Sequence, residues 1–162
     1  MVRKSLVFLT VLFIVAACAA PAASGPEIHV EDAWARPALI DSDMSEMDDM
    51  HDMPMSGTNG AAYFVLMNDG NEADALIGVT SGIADLAEIH QTRIDENNVA
   101  QMLPVARVEV PARGTVEFTP GSYHVMLVGL TRDLKVGDTL TLKLQFEKSG
   151  EIVVNVPIQL GQ

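Results

Sequence analysis

Two histidines and two methionines have the side chains and the spacing to bind a soft metal ion. In "GSYHVMLVGL", residues 121–130, strand-like alternation sends His124 and Met126 to the same face. Their Cα atoms should then lie about 6.5 to 7 Å apart, so an imidazole nitrogen and a thioether sulfur can reach one ion. His90 in "LAEIHQT" and Met102 in "VAQMLPV" add the same two ligand types. Copper suits such a set, because thioether sulfur binds Cu(I) well and hard cations poorly.

A structural explanation of these four residues stays open on spacing and composition alone. Methionine packs well into irregular gaps, so Met102 and Met126 could be core residues. His90 and His124 could then be ordinary surface residues.

A second group of potential ligands lies in "DMSEMDDMHDMPMS", residues 43–56, which contains five methionines, one histidine and five carboxylates. The candidate metal ligands in it are Met44, Met47, Met50, His51, Met53 and Met55. The sulfurs could gather around one Cu(I), while His51 and the carboxylates could hold Cu(II). Two alternatives are a disordered acidic linker with incidental methionines and a helix whose methionine stripe faces a partner.

The first residues are predicted to be an export signal rather than part of the fold. A basic pair, Arg3 and Lys4, precedes an apolar run that is short for a membrane-spanning helix and ends in "VAAC". This ending resembles a bacterial lipobox, which implies a signal peptide at 1–17, lipidation of Cys18 and a linker at 18–27. The domain would then be exported and anchored to a membrane, facing the periplasm or the cell exterior. An ordinary signal peptide cut nearby is the alternative.

Composition argues against several classes of function. The formal net charge of −12 disfavours nucleic acid binding and favours cations or basic partner surfaces. Cys18 is the only cysteine, so the domain has no thiolate for nucleophilic catalysis, disulfide exchange or a blue-copper centre. The sequence has no evident Ser/His/Asp arrangement or glycine-rich phosphate loop, which predicts a binding protein rather than an enzyme.

Alternation with a period of two predicts an all-β domain over residues 28–162. The segments "TLTLKLQFE" and "EIVVNVPIQ" are predicted to form an antiparallel pair joined at "KSG". Further strands are predicted at 28–34, 61–67, 75–80, 86–93, 99–103, 105–110, 115–118 and 123–129. Many short strands with closely spaced turns indicate a β-sandwich or a Greek-key barrel. The segment "SGIADLAE", residues 81–88, could hold a single helical turn.

The order of the four candidate ligands resembles the signature of periplasmic copper chaperones of the PCuAC type. In that signature a histidine, often followed by methionine, precedes ten residues, a methionine, twenty-one residues and then His-x-Met. Residues 92–101 and 103–123 supply these two spacers. The segments "DAWARP", "NGAAYFVLMNDG", "AEIHQT" and "GDTLTLKLQFEKSGEIVVNVPI" also look like segments of that family.

The resemblance implies an all-β, cupredoxin-like Greek-key β-sandwich that binds Cu(I) through His90, Met102, His124 and Met126. It also implies delivery of copper to an acceptor, such as a cytochrome c oxidase subunit during assembly of its copper centre, or another copper chaperone. We expect a monomer. The alternatives are an envelope protein that sequesters copper without a dedicated acceptor, and a structural β-sandwich lipoprotein.

The chain departs from the family pattern at two places. Gln91 stands where many relatives carry the additional methionine. The Met/His/Asp-rich segment is a loop insertion at 39–57, whereas some relatives carry such a segment as a C-terminal tail.

Overall fold

The computed structural model describes residues 25–40 and 59–161, which form ten β-strands and no helix. The strands are β1 (Ile28–Ala35), β2 (Gly60–Asn68), β3 (Asp74–Ser81), β4 (Ala84–Ile94), β5 (Ala100–Pro104), β6 (Val108–Val110), β7 (Thr115–Phe118), β8 (Tyr123–Leu130), β9 (Thr139–Phe146) and β10 (Gly150–Pro157). The expected signal peptide, Cys18, most of the linker and the candidate ligands between Met44 and Met55 lie outside the described residues. Within the described ranges, no helix has the length and apolar character needed to cross a membrane.

Six strands form the first sheet, in the order β1-β2-β7-β8-β4-β5. Neighbouring strands in it are antiparallel except for one parallel pair between Phe118 of β7 and Tyr123 of β8. The first residues of β2, Gly60–Ala62, pair with β8, and the later residues of β2 pair with β7. On the other side of β8, β4 lies between β8 and the edge strand β5. Three neighbouring strands, β8, β4 and β5, therefore contain all four candidate ligands of the sandwich.

Four antiparallel strands form the second sheet, in the order β10-β9-β3-β6. Along β9 the predicted alternation is confirmed, because buried residues alternate with exposed ones. The buried residues of β9 are Leu140, Leu142, Leu144 and Phe146. They belong to one core together with residues of the first sheet such as Phe64, Phe118 and Leu127. The core therefore lies between the sheets of an all-β sandwich. Burial of each such side chain stabilises the fold by about 1.5 to 3 kcal/mol.

The expectation of a helical turn within residues 81–88 is wrong. The chain makes a tight turn at Gly82 and Ile83 and then enters β4 at Ala84. Residues of β4 from Ala84 to Gln91 pair with β8. The sheet hydrogen bonds gained along this length outweigh the helix propensity of alanine, leucine and glutamate.

The strand predicted at 105–110 is shorter than expected. It begins only at Val108, because the chain crosses from the first sheet to the second between Pro104 and Val108. The crossing places β5 and β6 at edges of different sheets.

The described residues on either side of residues 41–58 are held in place by the sandwich. On one side, the N–H of Ile40 donates a hydrogen bond to Oδ1 of Asp133 at 2.9 Å. On the other side, Gly60 begins β2 opposite Leu127 of β8. The Met-rich part of the sequence therefore leads directly into a strand that pairs with β8.

Candidate metal centre

Strands β4 and β8 hold two imidazole rings side by side on the outer face of the first sheet. His90 and His124 are direct cross-strand partners, and their ring centroids are 5.8 Å apart. Their neighbours Ile89 and Val125 are buried in the core, so strand alternation turns both histidines away from it. Two imidazoles that share one ion at metal–nitrogen distances of about 2 Å have ring centroids within roughly 6.5 Å of each other. The observed pair satisfies this condition.

The strand register puts both candidate methionines on the same face as the histidines. Met126 follows His124 by two residues on β8, and Met102 of β5 lies opposite Thr92 of β4. Each methionine is therefore a diagonal cross-strand neighbour of His90. Diagonal neighbours lie about 7 to 8 Å apart, which long side chains can span. Met102 is 53% exposed, whereas Met126 is half-buried.

His90 has one ring nitrogen that nothing in the described part of the chain satisfies. Its Nε2 lies 3.1 Å from Oε2 of Glu88. Its Nδ1 is buried and has no hydrogen-bond partner. Buried polar atoms in folded proteins nearly always have a partner, so an orphaned imidazole nitrogen beside a second histidine fits a metal ligand.

His124 is 5% exposed, and one of its ring nitrogens has a hydrogen-bond partner in the sandwich. Its Nδ1 lies 3.3 Å from the backbone carbonyl oxygen of Ser122. A carbonyl only accepts, so Nδ1 carries the hydrogen and Nε2 keeps its lone pair. Burial lowers the pKa of His124, the hydrogen bond to Ser122 opposes this, and the charges of His90 and Arg36 add to the lowering. The lowered pKa favours the neutral ring, which is the form that binds metal.

A row of aromatic rings continues from His124 across the sheet. The Tyr63 ring lies 6.4 Å from that of His124, and the Trp34 ring lies 4.6 Å from that of Tyr63. The guanidinium of Arg36 lies 5.6 Å from the centroid of the Tyr63 ring. Burial raises the pKa of Tyr63, and the positive charge of Arg36 partly opposes this. These buried rings shield one side of His124 from water.

No three His, Cys, Asp or Glu side chains are grouped to hold a metal ion in residues 25–40 and 59–161. This part of the chain therefore offers no site made of those ligand types alone. A third ligand for an ion at the histidine pair would be of another type, and methionine sulfur is available on the same face.

Sequence reasoning missed three residues around the histidine pair: Glu88, Tyr63 and Trp34. A signal existed for Glu88, because it stands two residues before His90 in a predicted strand and so shares its face. No comparable signal existed for Tyr63 and Trp34. Their approach to His124 depends on the pairing of β1, β2 and β8, which are far apart in the chain.

Comparison with known proteins assigns the chain to a family. Residues 28–158 match the family model described as "Putative lipoprotein LpqE-like". A relative from Rickettsia prowazekii (strain Madrid E), the uncharacterized protein RP573, is 30% identical over 81% of this chain. The chain spans 66% of that relative's length.

Solved structures of PCuAC domains share the fold. The apo PCuAC domain from PmoF1 matches with a TM-score of 0.61 and 26% identity, over 82% of this chain and 92% of that one. The solution structure of Cu(I)-bound DR1885 from Deinococcus radiodurans matches with a TM-score of 0.53 and 27% identity, over 80% and 78% of the two chains. These matches confirm the cupredoxin-like sandwich and the resemblance to PCuAC-type copper chaperones. The chain therefore belongs to the LpqE-like family, and its folded domain is of the PCuAC type.

Proposed function

We propose that this protein is an envelope copper chaperone that binds Cu(I) through His90, Met102, His124 and Met126 and passes the ion to an acceptor. The observation that supports this most is the buried, unpartnered Nδ1 of His90, 5.8 Å from the His124 ring when measured between ring centroids. Both methionines belong to the same outer face.

The ligand types favour Cu(I). Thioether sulfur is soft and neutral, and imidazole binds either oxidation state of copper. A set of two imidazoles and two thioethers adds no charge of its own, which suits a monovalent ion. The similar DR1885 structure was determined with Cu(I), which supports copper as the cargo here.

The position of Met102 supports transfer rather than permanent storage. Met102 is 53% exposed and belongs to the edge strand β5, whereas His124 is buried. An acceptor can approach the ion from the Met102 side and replace that sulfur first. Ligand exchange of this kind moves copper between proteins without releasing the free ion.

The Met-rich loop is proposed as a second copper site. Its candidate ligands are Met44, Met47, Met50, His51, Met53 and Met55. Cu(I) would bind the sulfurs, and Cu(II) could use His51 with the neighbouring carboxylates. The loop sequence leads into β2 beside β8, the strand of His124 and Met126.

The family resemblance supports a proposal for the acceptor and the location. We propose delivery towards the copper centre of cytochrome c oxidase during its assembly, either directly or through another chaperone. Sequestration of copper in the envelope without a dedicated acceptor is the alternative. Lipidation of Cys18 would anchor the exported protein to the membrane, and the "lipoprotein" description of the matching family supports this.

Anaerobic Cu(I) titration against a competing chelator tests the proposed ligands. Met102→Leu should weaken binding to the sandwich site by at least tenfold, because leucine keeps the apolar bulk and removes the sulfur. Met67→Leu is the matched control, since Met67 lies on β2 opposite His29 and Thr115, away from the proposed ligands. Equal affinity of the Met102→Leu variant and the unmodified protein would count against the proposed ligand set.

The same Cu(I) titration tests a proposed histidine ligand against a control histidine. His90→Asn should lower the affinity further than Met102→Leu does. His29→Asn, at a half-exposed histidine on β1, should leave the affinity unchanged.

A further inference from the structure

Glu88 lies beside His90 on the outer face of β4 and determines which nitrogen of that histidine is free. Its Oε2 is 3.1 Å from Nε2 of His90. A carboxylate only accepts hydrogen bonds, so Nε2 carries the hydrogen and Nδ1 keeps its lone pair. This is the nitrogen that is buried without a partner.

The surroundings of Glu88 link it to a second proposed ligand. Across the strand pair, Glu88 lies directly opposite Met126. The Glu88 side chain is 39% exposed, whereas that of His90 is 12% exposed. Glu88 is therefore the more exposed member of the pair, whereas the free Nδ1 of His90 is buried.

The two histidines are oriented by different kinds of group. His124 donates to the backbone carbonyl of Ser122, which no side-chain substitution removes. His90 depends on a side chain, because Glu88 is its one hydrogen-bond partner among the described residues. Loss of Glu88 would let the His90 ring rotate about its terminal bond, which moves Nδ1, or change tautomer, which puts the hydrogen on Nδ1 and removes its lone pair.

We propose that Glu88 is a positioning residue of the copper site, an inference that rests on the proposed function. Glu88 acts through His90 and is not itself a ligand. Its hydrogen bond fixes the tautomer and rotation of the ring before the ion arrives, so binding does not have to pay for this ordering. Loss of a hydrogen-bond partner of a metal-binding histidine typically lowers metal affinity about 10- to 100-fold.

Three variants distinguish an effect of the hydrogen bond between Glu88 and His90 from an effect of the negative charge of Glu88. Glu88→Ala removes the hydrogen bond, while Glu88→Gln removes the charge but keeps an amide oxygen that can accept from Nε2. Glu117→Gln is the matched control, because Glu117 is an exposed glutamate of the first sheet, on β7 opposite Val65.

The first measurement needs no copper. Imidazole ¹⁵N chemical shifts of the metal-free protein at pH 8 report the tautomer of each neutral histidine. We expect His90 to carry its hydrogen on Nε2 in the unmodified protein, in Glu88→Gln and in Glu117→Gln. Glu88→Ala should show a mixture of tautomers at His90 and no change at His124. An unchanged His90 tautomer in Glu88→Ala would overturn the proposal.

The second measurement is Cu(I) affinity by anaerobic competition. Glu88→Ala should bind 10- to 100-fold more weakly, Glu88→Gln within about threefold of the unmodified protein, and Glu117→Gln unchanged. Equal losses in Glu88→Ala and Glu88→Gln would overturn the proposal in favour of a direct effect of charge.

The two measurements also separate this proposal from the proposed function. Failure of the unmodified protein to bind copper would overturn the function, while the tautomer spectra would still decide whether Glu88 positions His90. Copper binding with an unchanged tautomer in Glu88→Ala would overturn the role of Glu88 alone.

Discussion

His90 and His124 use different ring nitrogens for their hydrogen bonds. Hydrogen bonds to Glu88 and to the Ser122 carbonyl occupy Nε2 of the first ring and Nδ1 of the second. The two remaining lone pairs belong to Nδ1 of His90 and Nε2 of His124. Both rings are thus oriented in the metal-free fold, which lowers the entropy that copper binding must offset.

The single tryptophan provides a signal for occupation of this pair. Trp34 is the only tryptophan in the chain, and only the Tyr63 ring separates it from His124. We expect Cu(I) binding at the sandwich site to change the Trp34 emission, because the ion alters the electronic surroundings of the neighbouring rings. Fluorescence titration under anaerobic conditions measures this change.

Two variants make the fluorescence result specific. The emission change should disappear in His124→Asn, which removes the proposed ligand closest to the aromatic row. It should remain in His29→Asn, because His29 faces Glu27 and Asp69 instead. A change of equal size in His124→Asn would show that the signal arises elsewhere.

At the scale of strands and turns, a single carboxylate ties two parts of the second sheet together. Asp74 at the start of β3 is 1% exposed and accepts four hydrogen bonds. They come from the N–H groups of Ala75, Lys148 and Ser149 and from the Ser149 hydroxyl. Asp74 thereby fixes the turn between β9 and β10.

We expect Asp74→Asn to lower the free energy of unfolding by about 1 to 3 kcal/mol at pH 7. The amide has one acceptor oxygen and no charge, so it cannot replace all four hydrogen bonds. Copper affinity should not change, because Asp74 lies in the opposite sheet. Urea denaturation measures the difference, with Asp69→Asn as the control, since the Asp69 side chain is 61% exposed.

The contribution of Asp74 should also depend on pH. Burial alone would raise the pKa of Asp74, but the hydrogen bonds from Ser149, Lys148 and Ala75 outweigh it and lower the pKa below the usual 3.8. A carboxyl whose pKa is lowered in the folded state stabilises the fold at pH values above its pKa in the unfolded chain, about 3.9. This stabilisation disappears as the pH falls through the folded pKa. The difference in free energy of unfolding between the unmodified protein and Asp74→Asn should therefore decrease below about pH 3.9. A difference that stays constant into that range would contradict this.

Strand periodicity was enough to predict much of this architecture. The alternation in "TLTLKLQFE" predicted the buried face of β9, and that in "YHVMLV" predicted the shared outer face of His124 and Met126. In both cases the signal is local, because side chains two residues apart share a face.

Contacts between distant segments could not be predicted in this way. The pairing of β4 with β8 brings His90 opposite His124, although 33 residues separate them in the chain. The spacing of a known family, rather than periodicity, linked these two residues. The start of β4 was ambiguous because "ADLAE" has residues that favour helix, and only pairing with the neighbouring strand β8 decides its structure.

At the scale of the whole molecule, the core and the candidate copper site use opposite faces of the same sheet. The core lies between the two sheets, and His90, Met102 and Met126 belong to the outer face of the first. Substitutions at the exposed residue Met102, a proposed ligand, should therefore change copper binding with little change in stability. Conversely, substitutions such as Leu142→Ala in the core should cost about 2 to 5 kcal/mol without altering the ligand set.

Substitutions in the Met-rich loop test whether copper binding there is also independent of the stability of the fold. Because Ile40 and Gly60 are held by contacts within the sandwich, changes confined to the residues between them should leave the sheets intact. We expect simultaneous replacement of Met44, Met47, Met50, Met53 and Met55 by leucine to preserve the free energy of unfolding and Cu(I) binding at the sandwich site. Removal of the five sulfurs should lower the copper stoichiometry or slow the loading of His90 and His124. Anaerobic titration gives the stoichiometry, and the Trp34 emission followed in time gives the loading rate. If the leucine variant matches the unmodified protein in both, the methionines are not ligands and the segment is an acidic linker.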